Sequence, residues 1–132
     1  MFKRIDHTEF VPADFEKTLK FYTEVLGAEI TMRRKIENRP PMKELVFIKL
    51  GDTMMELFSV DNPVPVSKDP WRVGYRKIAI QVENVPKAVE YLKSKGVEIV
   101  PSQMPAAPGA PPPTRAEIKD PDGISIELLE RN

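Results

Sequence analysis

Apolar and polar positions alternate with a period of two from Arg4 to Val11. That period predicts a strand with Ile5, His7, Glu9 and Val11 on one face and Asp6, Thr8 and Phe10 on the other. Pro12 ends it. The spacing then changes: Phe15, Leu19, Tyr22 and Leu26 form one stripe of a helix running from Phe15 to about Leu26. Asp14 stands at its N-cap and Gly27 just past its end. Three more strands are expected, at Glu29–Ile36, Glu44–Leu50 and Thr53–Val60, separated by Asn38-Arg39-Pro40-Pro41 and Gly51-Asp52. The first half therefore reads βαβββ.

A stretch with Pro63, Pro65 and Pro70 predicts a linker over residues 61–74, and the same order then begins again. Tyr75–Val82 alternates as a strand. Asn84 caps a helix that buries Val85, Ala88, Val89 and Leu92 and is closed by Gly96. Val97–Val100, Arg115–Lys119 and Gly123–Leu129 are the remaining strands. Residues 101–113 hold six prolines and read as an extended flap or edge loop. Asp120-Pro121-Asp122-Gly123 is a tight turn into the last strand, with proline presetting φ and glycine taking the left-handed position.

The two halves are a repeat. His7 matches Lys77 at an offset of 70, and Glu56 matches Glu127 at an offset of 71. Asp14 and Asn84, Gly27 and Gly96, and Glu29-Ile30 and Glu98-Ile99 fall in register between them. The expected architecture is α+β: two βαβββ modules in tandem, residues 1–60 and 75–132, forming a shared curved mixed sheet around a cavity within one domain.

Composition narrows what such a cavity does. Twenty basic residues balance twenty acidic ones in 132 residues, so no net field recruits nucleic acid or an anionic membrane. The absence of cysteine excludes disulfides, thiolate metal sites and cysteine nucleophiles. No apolar run has the length of a membrane span, and the N-terminus lacks a signal-peptide core. A soluble cytoplasmic protein is the expectation, and His7, its one histidine, limits any acid–base or metal site.

Strand alternation gathers the chemistry. Glu127 lies mid-strand in an apolar run, where a carboxylate is costly unless compensated. On the same expected faces lie Glu9 beside His7, Met54 and Phe58 beside Glu56, Tyr75, Ala79 and Gln81 beside Lys77, and Ser125 and Leu129 beside Glu127. The expected substrate pocket is thus apolar-walled with one imidazole, three carboxylates and one ammonium at its centre. A hydrogen-bonded strand histidine, a rim glutamate at Glu9 and a structural counter-ion at Lys77 are the plain alternatives for these residues. Arg33-Arg34-Lys35 reads as a solvated face, and nothing in the sequence favours its other reading, contact with an anionic substrate tail.

The segments IDHTEFVPADFEKTLKFYTEVLG, MMELF and DPDGISIELLE, in this order within paired βαβββ units, resemble the vicinal oxygen chelate superfamily. That group holds glyoxalases, methylmalonyl-CoA epimerases, extradiol dioxygenases, and fosfomycin and bleomycin resistance proteins. The resemblance implies inward metal ligands from the first and last strands of each unit: His7, Glu56, Glu127, and Lys77 where metal-binding relatives carry a second histidine. An ammonium offers no lone pair, so two readings follow. In one, His7, Glu56 and Glu127 hold Zn²⁺, Ni²⁺, Co²⁺ or Mn²⁺, with Glu9 or Glu56 as base and Lys77 as oxyanion partner in glyoxalase-type lyase or isomerase chemistry on a small carbonyl compound. In the other, Lys77 replaces the metal's charge in a binding protein of bleomycin-resistance type. Dioxygenase chemistry needs a second histidine that the chain lacks. Pairing of two chains as a homodimer is a further implication of the resemblance.

Overall fold

A computed structural model describes residues 1–101 and 107–131 of the chain. Among the described residues, seven strands and two α-helices follow one another in two successive strand–helix–sheet runs, the second one strand short of the expected plan. The chain divides into two compact units, Met1–Pro65 and Val66–Asn132, with the boundary inside the proline-bearing segment 61–74.

In unit 1, β1 (His7–Phe10), α1 (Phe15–Lys20), β2 (Glu29–Lys35), β3 (Met42–Leu50) and β4 (Thr53–Val60) build a four-stranded sheet in the order β1-β4-β3-β2. β1 runs parallel to β4, and the other pairs are antiparallel. β1 is shorter than its alternation suggests, because Ile5 and Val11, at 82% and 45% exposure, bury too little to extend it. α1 starts where expected: the Asp14 side chain accepts from the Lys17 amide at 3.1 Å.

The expected single helix to Leu26 changes character after one and a half turns, continuing as a π-helical turn, Phe21–Val25. The Leu26 amide donates to the Phe21 carbonyl, five residues back, and the Thr23 hydroxyl takes the Leu19 carbonyl at 2.8 Å. The wider turn rotates the buried stripe: Thr18, Leu19, Phe21 and Tyr22 are buried, whereas Phe15 and Leu26 are half-buried. Gly27, at φ 80°, then lets the Ala28 amide close back on Tyr22. The helix covers one sheet face, where Val46, Ile48, Met55 and Leu57 form the core.

In unit 2, β5 (Lys77–Gln81), α2 (Val85–Ser94), β6 (Arg115–Lys119) and β7 (Ser125–Leu129) repeat the plan with the sheet order β5-β7-β6. β5 is parallel to β7, as β1 is to β4. Asn84 caps α2 through the Lys87 amide at 2.9 Å, and Val85 and Leu92 are its fully buried contacts. The strand expected at Val97–Val100 shrinks to one bridge, Ile99 to Ile118. Four residues leave little ladder to hold. The expected flap, residues 101–113, lies partly outside the described residues; its described remainder includes a turn in which the Ala110 amide donates to Ala107. The Asp120 carboxylate, 4% exposed, accepts from the amides of Asp122 and Ile124, both at 2.9 Å, and so locks the turn into β7. No helix among the described residues is long and apolar enough to cross a membrane.

Candidate functional site

The parallel register of β1 on β4 pairs His7 with Met54 and Glu9 with Glu56. Paired residues in a sheet share a face, so His7, Glu9, Met54, Glu56 and Phe58 all lie opposite the helix. Within unit 1 this register brings three chemical groups together. The ligating atoms of His7, Glu9 and Glu56 lie within 4.8 Å of one another. His7 Nε2 is 3.0 Å from Glu56 Oε2, with side-chain exposures of 32% and 9%.

Two neighbours fix the imidazole. Its Nδ1 lies 2.9 Å from Asp6 Oδ2, and its ring meets the edge of Phe47 at a centroid distance of 5.1 Å. A carboxylate on Nδ1 aims Nε2 inward, the outer support that a metal-binding histidine uses. Alternation along β1 had assigned Asp6 to the opposite face, but Asp6 precedes the strand and is free of its pleat. Its adjacency to the chain's one histidine was the available signal. Phe47 needed the β3 register, which pairs it with Glu56.

Electrostatics follow from these contacts. Hydrogen bonding to Asp6 raises the His7 pKa above its ordinary 6.5, against a smaller desolvation effect, with Glu56 adding to the rise. Burial raises the Glu56 carboxyl above 4.5, and the Glu9 charge adds to it, while His7 and Arg34 pull the other way.

In unit 2 the same positions carry an ion-pair cluster. Ala79 pairs with Glu127, Lys77 with Ser125 and Gln81 with Leu129, so these six residues share a face with Arg115, Glu117 and Lys119 of β6. Lys77 Nζ lies 3.3 Å from Glu127 Oε2 and 3.4 Å from Glu117 Oε2, and Arg115 approaches Glu127 at 3.6 Å. Burial pushes the Glu117 carboxyl up, but hydrogen bonding to Ser125 and the Lys77 charge outweigh it and hold its pKa low. Tyr75 precedes β5 and is 96% exposed. The repeat thus places Ala79 where unit 1 has Glu9, and an ammonium where it has an imidazole.

The donor set of unit 1 fits a divalent cation: one imidazole nitrogen and two carboxylates, with no ammonium among them and an outer carboxylate on the imidazole. The donors of unit 2 fit poorly, since Glu127 and Glu117 are already neutralised by Lys77, Arg115 and Lys119.

Comparison with known proteins agrees with this architecture. Residues 4–128 match the model of the Glyoxalase/Bleomycin resistance protein/Dioxygenase superfamily. The chain is 30% identical over 131 residues to the uncharacterized protein YwkD of Bacillus subtilis, covering 99% of each chain. It is 30% identical over 128 residues to the lactoylglutathione lyase of Escherichia coli O157:H7, covering 96% of this chain and 92% of that one. A longer chloroplastic relative in Arabidopsis thaliana is spanned over 36% of its length. Among solved structures, a glyoxalase family protein from Enterococcus faecalis superposes with a TM-score of 0.78 at 27% identity, covering 98% of both chains. With residues 4–128 matching that model and two successive strand–helix–sheet units along the chain, it belongs to the Glyoxalase/Bleomycin resistance protein/Dioxygenase superfamily.

Proposed function

We propose that this chain is a metal-dependent lyase or isomerase of glyoxalase type, abstracting a proton from the carbon beside a carbonyl of a small substrate. The observation that carries this reading is the clustering of His7, Glu9 and Glu56 on one sheet face, with Asp6 holding the imidazole from behind. His7, Glu9 and Glu56 would hold the cation, and their oxygen and nitrogen donors suit Zn²⁺, Ni²⁺, Co²⁺ or Mn²⁺. When bound, that ion supplies positive charge that polarises a substrate oxygen. Glu56 is the base in this reading: it is the one buried carboxylate of the cluster. Lys77 acts as counter-ion to Glu127 and Glu117. Assembly as a homodimer belongs to the same reading and is checked by sedimentation.

Elemental analysis tests it on protein purified without a His tag and dialysed against Zn²⁺, Ni²⁺ or Mn²⁺. Near-stoichiometric metal is expected in the parent, with loss in His7→Ala and Glu56→Ala. A Glu127→Ala variant that also loses its metal would add Glu127 to the ligands. Solvent deuterium should enter lactoylglutathione at the carbon beside its carbonyl, and the Glu56→Gln variant should slow that exchange by about 100-fold or more. Parent protein that stays metal-free and catalyses no exchange sinks the proposal.

The Lys77–Glu127 pair supports a second reading, a small-molecule binding protein of bleomycin-resistance type in which lysine replaces the metal's charge. It predicts ligand-induced thermal stabilisation without turnover, in protein that takes up no metal.

A further inference from the structure

The three consecutive cations of β2 do not share one fate. β2 pairs with β3 through Ile30 and Ile48, then skips one residue and resumes with Met32 opposite Phe47. This bulge reverses the faces of everything after it. Arg33 turns to the helix side, where it bridges Glu16 of α1 and Glu44 of β3 and lies 5.6 Å from the Phe15 ring. Arg34, opposite Leu45, turns to the face that carries Glu56.

There Arg34 and Arg39 flank a cleft of about 330 Å³ floored by Met42, Leu45 and Phe58. Lys35 and Glu37 also reach its rim and offset each other in charge, leaving the two guanidiniums as the net charge of the cleft. Among the described residues neither Arg34 nor Arg39 lies within ion-pair distance of a carboxylate, in contrast to Arg33. The floor continues directly into the candidate active site: Phe58 follows Glu56 by two positions on the same face of β4, about 7 Å along the strand.

We propose that this cleft binds the anionic end of a small amphipathic ligand, with Arg34 and Arg39 gripping a carboxylate or phosphate and Met42, Leu45 and Phe58 covering the apolar stem. Guanidiniums supply forked donors for either head group, and a low-lying apolar floor strengthens their attraction. Calling this ligand the substrate rests on the proposed function. Its binding does not, since no metal or turnover is involved. The reacting carbon at Glu56 would then sit a few bonds from the charged end, which selects substrates that carry an acid group remote from the carbonyl.

Metal-free, isotope-labelled protein is titrated by NMR with 4-phenylbutyrate, 4-phenylbutyl phosphate and the neutral 4-phenylbutyramide. Both anions should shift the backbone amides of Met42, Leu45 and Phe58, and the tighter of the two identifies the preferred head group. Arg34→Gln and Arg39→Gln should each raise the Kd about 10-fold, and the amide should bind about 10-fold or more weakly than the anions. Arg76→Gln, whose guanidinium lies over the Trp71 ring in unit 2, should leave the Kd unchanged. Equal affinity for acid and amide, indifference to both arginine substitutions, or shifts centred instead on Lys119 and Ser125 would overturn the assignment. A protein without exchange activity but with this arginine-dependent Kd would refute the catalytic reading alone.

Discussion

Lys77 reaches diagonally across two parallel strands to Glu127, placing Nζ 3.3 Å from Oε2. His7 makes the same diagonal to Glu56 at 3.0 Å in the first unit. One backbone plan thus carries a fixed charge pair in one module and a titratable pair in the other.

The fixed pair should stabilise the fold only modestly, because Lys77 and Glu127 keep 29% and 22% of their side chains exposed. A double-mutant cycle with Lys77→Met and Glu127→Gln is expected to give a coupling of about 0.5–1 kcal/mol, shrinking as salt rises. Urea denaturation measures it. A coupling of several kcal/mol would mean that the pair is far drier than its exposure indicates.

The titratable pair makes a pH prediction. The His7 pKa is raised in the folded protein above the ordinary 6.5, first by Asp6 and then by Glu56. Its contribution to stability is therefore complete below the unfolded value and fades as pH rises through the folded one. The imidazole resonance of metal-free protein should titrate above pH 6.5, and Asp6→Asn should lower its midpoint more than Glu56→Gln does. A midpoint unmoved by Asp6→Asn would refute the Nδ1 contact.

Glu56 should respond in the same sense for a different reason. Burial raises its carboxyl pKa, so holding it ionised costs stability that grows as pH climbs from the ordinary 4.5 through the folded value. Metal-free Glu56→Gln is expected to match the parent at low pH and to be more stable, by roughly 1 kcal/mol or less, at neutral pH, since a neutral amide avoids that cost. Denaturation midpoints across pH check the crossover.

Turn and cap positions offer a test of the repeat itself. Asp14→Ala and Asn84→Ala remove equivalent N-cap acceptors and should each cost about 0.5–2 kcal/mol. Asp120→Ala leaves two amides of a partly buried turn without their acceptor and should cost more, about 1–3 kcal/mol. Thermal unfolding should rank Asp120→Ala as the most damaging of the three.

Much of this was legible in the chain because it depends on short-range rules. Asp14 and Asn84 announce helix starts, Gly27 and Gly96 announce ends, and alternation alone separates Glu127 from Ile126 and Leu128. The repeat of those signals at offsets of 69 to 71 carries the modular plan and points to His7, Glu56, Lys77 and Glu127 as equivalent positions. What needed tertiary structure was register. The Thr23 hydroxyl on the Leu19 carbonyl accompanies a π turn that no hydrophobic stripe reveals. Which of Arg33 and Arg34 meets Glu44 and which faces Glu56 is decided by one skipped residue in the β2–β3 ladder. Asp6 joins His7 only because the strand starts three residues later than the pattern implies, which frees Asp6 from the pleat. Periodicity records which residues share a face of one element. Only pairing between elements, where a single-residue slip exchanges the two faces, decides which side chains meet.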